Sequence, residues 1–107
     1  MDEQFLETVM GLIMHGGDAK GKAVEAIAAA KKFDFEGAEA KLTEAQAALG
    51  LAHKSQTSLL AKEAGGQSVP LSLLMVHGQD HLMNAITFID MAKEVVEVYR
   101  QLETMRQ

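Results

Sequence analysis

An all-α fold, an antiparallel three-helix bundle, is predicted by three features of the sequence. The apolar residues, 48% of a 107-residue chain, are mostly Ala, Leu, Val, Ile and Met, which form and pack helices. One Pro, one Tyr, four Phe and no Trp are too few turn and aromatic residues for a β sandwich or barrel of this length. Two polar breaks, Lys31-Lys32-Phe33-Asp34 and Gly65-Gly66-Gln67-Ser68-Val69-Pro70, leave three long helical stretches. The length suits one domain with one core, residues 1–107, and excludes two.

The first helix is expected over residues 3–30. Phe5, Val9, Leu12, Gly16, Ala19, Ala23, Ala26 and Ala30 recur in alternating steps of four and three, the stripe of a packed helix face. Gly16, Gly17 and Gly21 weaken helix propensity there, so a kink or a close helix approach must compensate. Lys31 and Lys32 suit a helix C-terminus and Asp34 can cap the next N-terminus. The second helix, residues 35–64, repeats the stripe with Phe35, Ala38, Leu42, Ala45, Leu49, Ala52, Gln56 and Leu59, of which only Gln56 is polar.

The third helix, residues 70–106, carries two seams. Leu82, Ala85, Ile89, Ala92, Val96 and Tyr99 form one, and Phe88, Met91, Val95, Val98, Leu102 and Met105 form another, displaced by roughly 100° around the axis. One apolar face is enough to meet two companions, so the second predicts oligomerisation through this helix. The alternative is a central helix that wraps both companions.

With no cysteine, the chain has no disulfide, thiolate nucleophile or Cys-based zinc site. A net charge of -5 argues against nucleic acid and anionic membranes as partners, since both need a basic face. No apolar run approaches the roughly 20 residues that span a bilayer. The start, Met1-Asp2-Glu3-Gln4, is acidic where a signal peptide is basic, so the expected location is cytoplasmic.

Chemistry concentrates in Val76-His77-Gly78-Gln79-Asp80-His81-Leu82-Met83. His77 and His81 lie four apart on one helix face, extending backwards the seam of Phe88 and Met91, where the pattern calls for core. Asp80 is flanked at helical spacing by Val76 and Met83, and a carboxylate in an apolar strip needs a proton, cation or donor. The H-x-x-x-H spacing is a weak metal signal, because a zinc protease needs Glu where Gly78 stands. No Ser or Cys triad is recognisable. What remains is histidine as nucleophile, a neutral imidazole attacking phosphorus to give a labile phosphoramidate. Protonated His81 and the Gln79 amide can donate to phosphoryl oxygens, and Gly78 leaves room for a partner. The plainer readings are hydrogen-bonded core histidines, favoured for His15 and His53, a salt-bridging Asp80, and methionines that fill the core.

These residues make the sequence resemble the lactose/cellobiose-type enzyme IIA of the bacterial phosphoenolpyruvate-dependent sugar phosphotransferase system. The resemblance covers nearly the whole chain and is most specific at His77-Gly78-Gln79-Asp80-His81-Leu82-Met83. Gly17-Asp18-Ala19, Asp34-Phe35, and Ala52-His53 with Gln56-Thr57 also look like family positions, whereas Phe33 stands where relatives usually have Gly. The resemblance implies a phosphotransferase component whose His77 accepts a phosphoryl group from the histidine phosphocarrier protein and passes it to a IIB component for sugar uptake. It also implies a homotrimer with the third helices about the threefold axis, and Asp80 as a metal ligand given once per subunit on that axis. Three carboxylates meeting there would repel unless neutralised, and oxygen ligands alone point to a hard ion, so one structural Mg²⁺ per trimer is expected. The motif holds no Arg or Lys, and neutral or titratable donors can support a transferring group without trapping it.

Two other readings are distinguishable. Two-component phosphotransfer domains place Lys three and Gly four residues after the active His, where this chain has Asp80 and His81. A non-catalytic helical regulator would have lost the motif, yet His77, Gln79 and His81 are all present.

Overall fold

The computed structural model of the protein describes residues 3–106 as three helices, α1 (Glu3–Lys31), α2 (Phe35–Ala64) and α3 (Leu73–Arg106). They run up, down and up in a bundle 59 Å long and 21 by 20 Å across. In this arrangement α1 and α3 are parallel neighbours, and α2 touches α3 less than it touches α1. Among the described residues no helix is long and apolar enough to cross a membrane. Met1 and Asp2 of the acidic start, and Gln107, lie outside the described residues.

Every residue of the expected α1 stripe is buried. The α2 stripe is also inward, with Phe35, Leu49 and Gln56 half-buried. In α3 the first seam is core and only Tyr99 is half-buried. The core has two sections. Near the closed end Ala19, Ala23, Ala26, Ala30, Ala38, Ala45, Ala85 and Ala92 surround Leu42, Ile89 and Val96. Near the other end Phe5, Val9, Leu12, Leu59, Met75 and Leu82 supply larger side chains. No polar side chain is buried among the described residues.

Between these sections the two helices that share a direction come close through glycine. A Cβ on Gly16 would sit 3.2 Å from the carbonyl carbon and oxygen of His81, and one on Gly78 would sit 3.4 Å from Leu12 and Val9. The weak helix formers in α1 are therefore answered by a close approach at Gly16, and the helix runs uninterrupted. Gly17 and Gly21 face open space.

The helix ends obey local chemistry. Asp34 caps α2, its carboxylate accepting from the Gly37 N–H at 2.9 Å. Just before it, Phe33 takes φ of 61° while the Phe33 and Asp34 N–H groups donate to the Ala30 and Ala29 carbonyls, a C-terminal motif that favours glycine. The strain of a left-handed aromatic residue, of order 1 kcal/mol, is offset by packing. The Phe33 ring meets Phe35 and Tyr99 edge-on with centroids 6.2 and 6.4 Å away, and Arg106 lies over it at 4.2 Å. At the end of α2, Gly66 fills the equivalent place with φ of 92°.

The start of α3 differs from the sequence expectation of residue 70. Pro70 is outside the helix, which begins at Leu73 because Ser72 caps it, its hydroxyl accepting from the Met75 N–H at 3.1 Å. On the flank where α1 meets α2, Lys22 and Lys41 each reach Glu25 and Glu44. Glu25 first and then Glu44 hold the Lys41 ammonium above its ordinary pKa.

The glycine contact makes a measurable claim. Gly16→Val should lower unfolding free energy by about 1–3 kcal/mol, since a branched side chain meets the His81 backbone. Gly50→Ala, which faces open space on α2, should raise it by about 0.5–1 kcal/mol. Urea midpoints with unchanged slope measure both. A Gly16→Val protein as stable as wild type would contradict the close approach.

Candidate functional site

The buried stripe of α3 begins Met75, Gly78, Leu82, Ala85. His77 and His81 each precede a core residue, so they lie about 100° around the helix from it, on the flank beside α1. His77 is exposed and His81 half-buried. This corrects the expectation of imidazoles at core positions: the flank they occupy is not core, and of the seam they were expected to extend Phe88 is half-buried and Met91 exposed. Gly78 also has a different role from the one expected. It is buried against Leu12 and Val9, so it admits α1 and not an incoming partner.

The two imidazoles meet. His77 Nε2 and His81 Nε2 are 3.1 Å apart, and the rings stand edge to face with centroids 4.5 Å apart and 85° between planes. Such a contact needs one ring to donate and the other to offer a lone pair, so the pair cannot carry an N–H at both Nε2 atoms. The α1 contact at the His81 backbone fixes the turn from which its imidazole projects. An exposed imidazole is thereby held against a second ring on a rigid helix.

Gln79 is not part of this pair. Two residues along a helix is about 200°, and Gln79 faces α2, accepting from Gln56 Nε2 at 2.8 Å and approaching Met75 Sδ through its own amide at 3.9 Å. Gln56, the polar member of the α2 stripe, therefore has its partner in the motif. The expected support of a phosphoryl group by Gln79 does not fit its place within the subunit.

Asp80 is exposed in the subunit, with Oδ1 accepting from the Asn84 amide at 2.9 Å. Around it the outer face of α3 shows Leu73, Val76, Met83, Met91, Val98, Leu102 and Met105 exposed. The cost expected of a carboxylate in an apolar strip therefore arises only when this face is covered. No group of three or more His, Cys, Asp or Glu able to hold a metal exists among the described residues. The plainer readings of the remaining residues need correction as well. His53 is exposed and His15 half-buried, and of the described methionines only Met75 is buried. A long flexible thioether suits an adaptable contact surface as well as a core.

A groove of about 220 Å³ opens beside the pair, lined by Gly16, Gly17, Lys20, Asp80, His81 and Asn84. Lys20 comes from α1 and was not among the residues the motif identifies. Its only sequence signal is that it directly follows Gly17-Asp18-Ala19, a stretch whose nearness to His81 requires the parallel packing of α1 and α3 to be known.

Comparison with known proteins agrees with this geometry. Residues 7–100 match the family described as PTS system, Lactose/Cellobiose specific IIA subunit. The chain is 47% identical over 106 residues to the lichenan-specific phosphotransferase enzyme IIA component of Bacillus subtilis, covering 99% of this chain and 96% of that protein. It is 48% identical over 103 residues to the cellobiose-specific EIIA component of Lactococcus lactis, covering 96% and 89%. In structure it is similar to the cellobiose-specific enzyme IIA from Bacillus anthracis, with a TM-score of 0.94, 36% identity and coverage of 97% and 95%. It also resembles the Escherichia coli chitobiose IIA solved in complex with HPr, with a TM-score of 0.82, 36% identity and coverage of 95% and 99%. These likenesses favour the sugar-system reading over two-component signalling. A three-helix subunit with paired imidazoles, matched along almost its full length, belongs to the lactose/cellobiose-specific IIA family of the sugar phosphotransferase system.

Proposed function

We propose that His77 is the phosphoryl carrier of this IIA component and that His81 is its supporting donor. The observation that carries this reading is the 3.1 Å contact between the two Nε2 atoms on an exposed flank. With His81 as the N–H donor, His77 keeps its proton on Nδ1 and presents the Nε2 lone pair. That lone pair attacks the phosphorus of a phosphohistidine on the donor protein. The new N–P bond forms as the old one breaks, and the electron pair returns to the donor imidazole. The charge left on His77 is relieved by loss of the Nδ1 proton to water, and the departing donor imidazole takes up a proton from water, so both rings end neutral. The His81 N–H, released from the lone pair, then donates to a phosphoryl oxygen. Exposure of His77 suits access by two successive partners, the histidine phosphocarrier protein as donor and a IIB component as acceptor. The first matches the HPr partner named for the chitobiose relative. The setting is the cytoplasm, where phosphoenolpyruvate supplies the relay.

The outer face of α3 supports a homotrimer. Met91 and Val98 are 58% exposed, and Leu73 and Met105 more than 80%, so this seam is a stretch of apolar surface that a bundle of α3 helices would cover. Asp80 lies on that face, so a threefold axis would gather three carboxylates. Oxygen donors of this kind fit a hard divalent cation such as Mg²⁺. Its contribution would be charge neutralisation between subunits, and Asp80, oriented by the Asn84 amide, would hold it.

Two outcomes follow. When the protein is incubated with phosphoenolpyruvate, the general phosphotransferase enzyme and its histidine carrier, the acid-labile phosphate should map to His77 and vanish in His77→Ala. His81→Ala should keep the fold and slow transfer about 10–1000-fold. Label on His15 or His53, or undiminished label in His77→Ala, defeats the assignment. In light scattering the wild type should have the mass of a trimer and lose it in chelator. Asp80→Leu, which removes the buried charge, should stay trimeric without metal, while Asp80→Ala, which leaves a void, should assemble less well. A monomeric wild type would rule out the trimer, and a chelator-resistant wild-type trimer would rule out the cation.

A further inference from the structure

We infer that Lys20 of α1 positions the phosphoryl group carried by the imidazole pair, supplying the cation that the His77 to Met83 motif lacks. This inference rests on the phosphoryl-carrier reading above. Four observations lead to it. First, Lys20 shares the groove of about 220 Å³ with His81, and it is the only Lys or Arg among the residues lining it. Second, the floor of that groove is glycine: Gly16 is buried against the His81 backbone and a Cβ on Gly17 would meet nothing within 4 Å. The space beside the imidazole is thus kept free of side chains. Third, α1 and α3 run in the same direction, and helix side chains slope toward the N-terminus. Lys20 is rooted one turn beyond Gly16, so its flexible side chain, which rests over Phe88, can swing back to the level of His81.

The fourth observation is that Lys20 has no carboxylate partner among the described residues. Lys22 and Lys41 are tied to Glu25 and Glu44, and Arg100 to Glu39. Lys20 instead lies over the Phe88 ring at 5.6 Å, a contact that steadies an ammonium without neutralising it. Asp80 in the same groove would oppose an anion, but its Oδ1 already accepts from Asn84, and Lys20 offsets the remaining field. A phosphoryl group on His77, next to His81, brings a second negative charge to the mouth of this groove near neutral pH. An ammonium there favours the dianion and restrains its rotation, while leaving the N–P bond untouched. Because Lys20 acts on the phosphoryl oxygens and not on the imidazole nitrogen, it can steady the group between partners without blocking its departure.

Phosphorus NMR of the phosphorylated protein tests this directly. The phosphohistidine resonance is titrated in wild type, Lys20→Met and Lys20→Arg, with helical content and mass checked for each. Lys20→Met should raise the pH at which the phosphoryl group takes its last proton by about half a unit or more. Lys20→Arg should restore the wild-type titration, which a merely structural lysine would not require. Coincident titrations for wild type and Lys20→Met overturn the inference. Absence of a His77 phosphoryl resonance from the wild type would instead overturn the carrier reading on which it rests.

Discussion

The backbone contact between α1 and α3 governs where the chemistry of this protein sits. Gly16 lets the two helices close at the very residue, His81, whose imidazole meets His77, and Gly78 answers from α3 by accepting Leu12 and Val9. A side chain at Gly16 would press on the His81 backbone at 3.2 Å and push the helices apart or turn α3, and the flank carrying both histidines would move with it. The alanine-rich section above this point extends the close packing, so the site rests on a stiff pair of helices and not on a loop. Rigid placement matters because a hydrogen bond between two rings tolerates only small shifts before donor and lone pair lose alignment.

One consequence is a division of α3 into three faces with different tasks. The inward face packs the bundle. The flank near α1 carries the imidazoles and opens into the groove of Lys20. The outward face, with Met91, Val98 and Met105 around the polar pair Asp80 and Asn84, awaits cover. Polar residues within such an apolar seam favour one register and one number of partners over others, because only arrangements that pair or neutralise them avoid a large desolvation cost. The proposed phosphoryl site and the proposed assembly seam adjoin at Asp80, which lines the groove beside His81.

Much of this was legible in the sequence. The stripes of α1 and α2 and the first seam of α3 are periodic enough to identify the core, and Asp34 was readable as a cap because Asp at that place has a definite partner two or three residues on. The start of α3 was read from Pro70, yet Ser72 wins because its hydroxyl satisfies a free N–H and Pro merely permits a helix. The motif signalled the chemistry but not its geometry. His77 and His81 come together by spacing alone, whereas Gln79 follows its angle away to Gln56 and Lys20 depends on which helices are parallel. Phe33 shows the limit in another way: the resemblance marks a position where relatives usually have glycine, but only the rings of Phe35 and Tyr99 and the Arg106 guanidinium explain how an aromatic residue holds φ of 61° there.

The central claim, a nucleophilic His77 nitrogen held against a donor on His81, is tested most directly by nitrogen-15 NMR of the imidazoles in the resting and phosphorylated wild-type protein. The account predicts His77 with its proton on Nδ1 and His81 with its proton on Nε2 at rest. After phosphorylation, coupling to phosphorus should appear at His77 Nε2, with His15 and His53 unchanged. Phosphorus on His77 Nδ1 or on any other histidine, or His81 carrying its proton only on Nδ1, would contradict it.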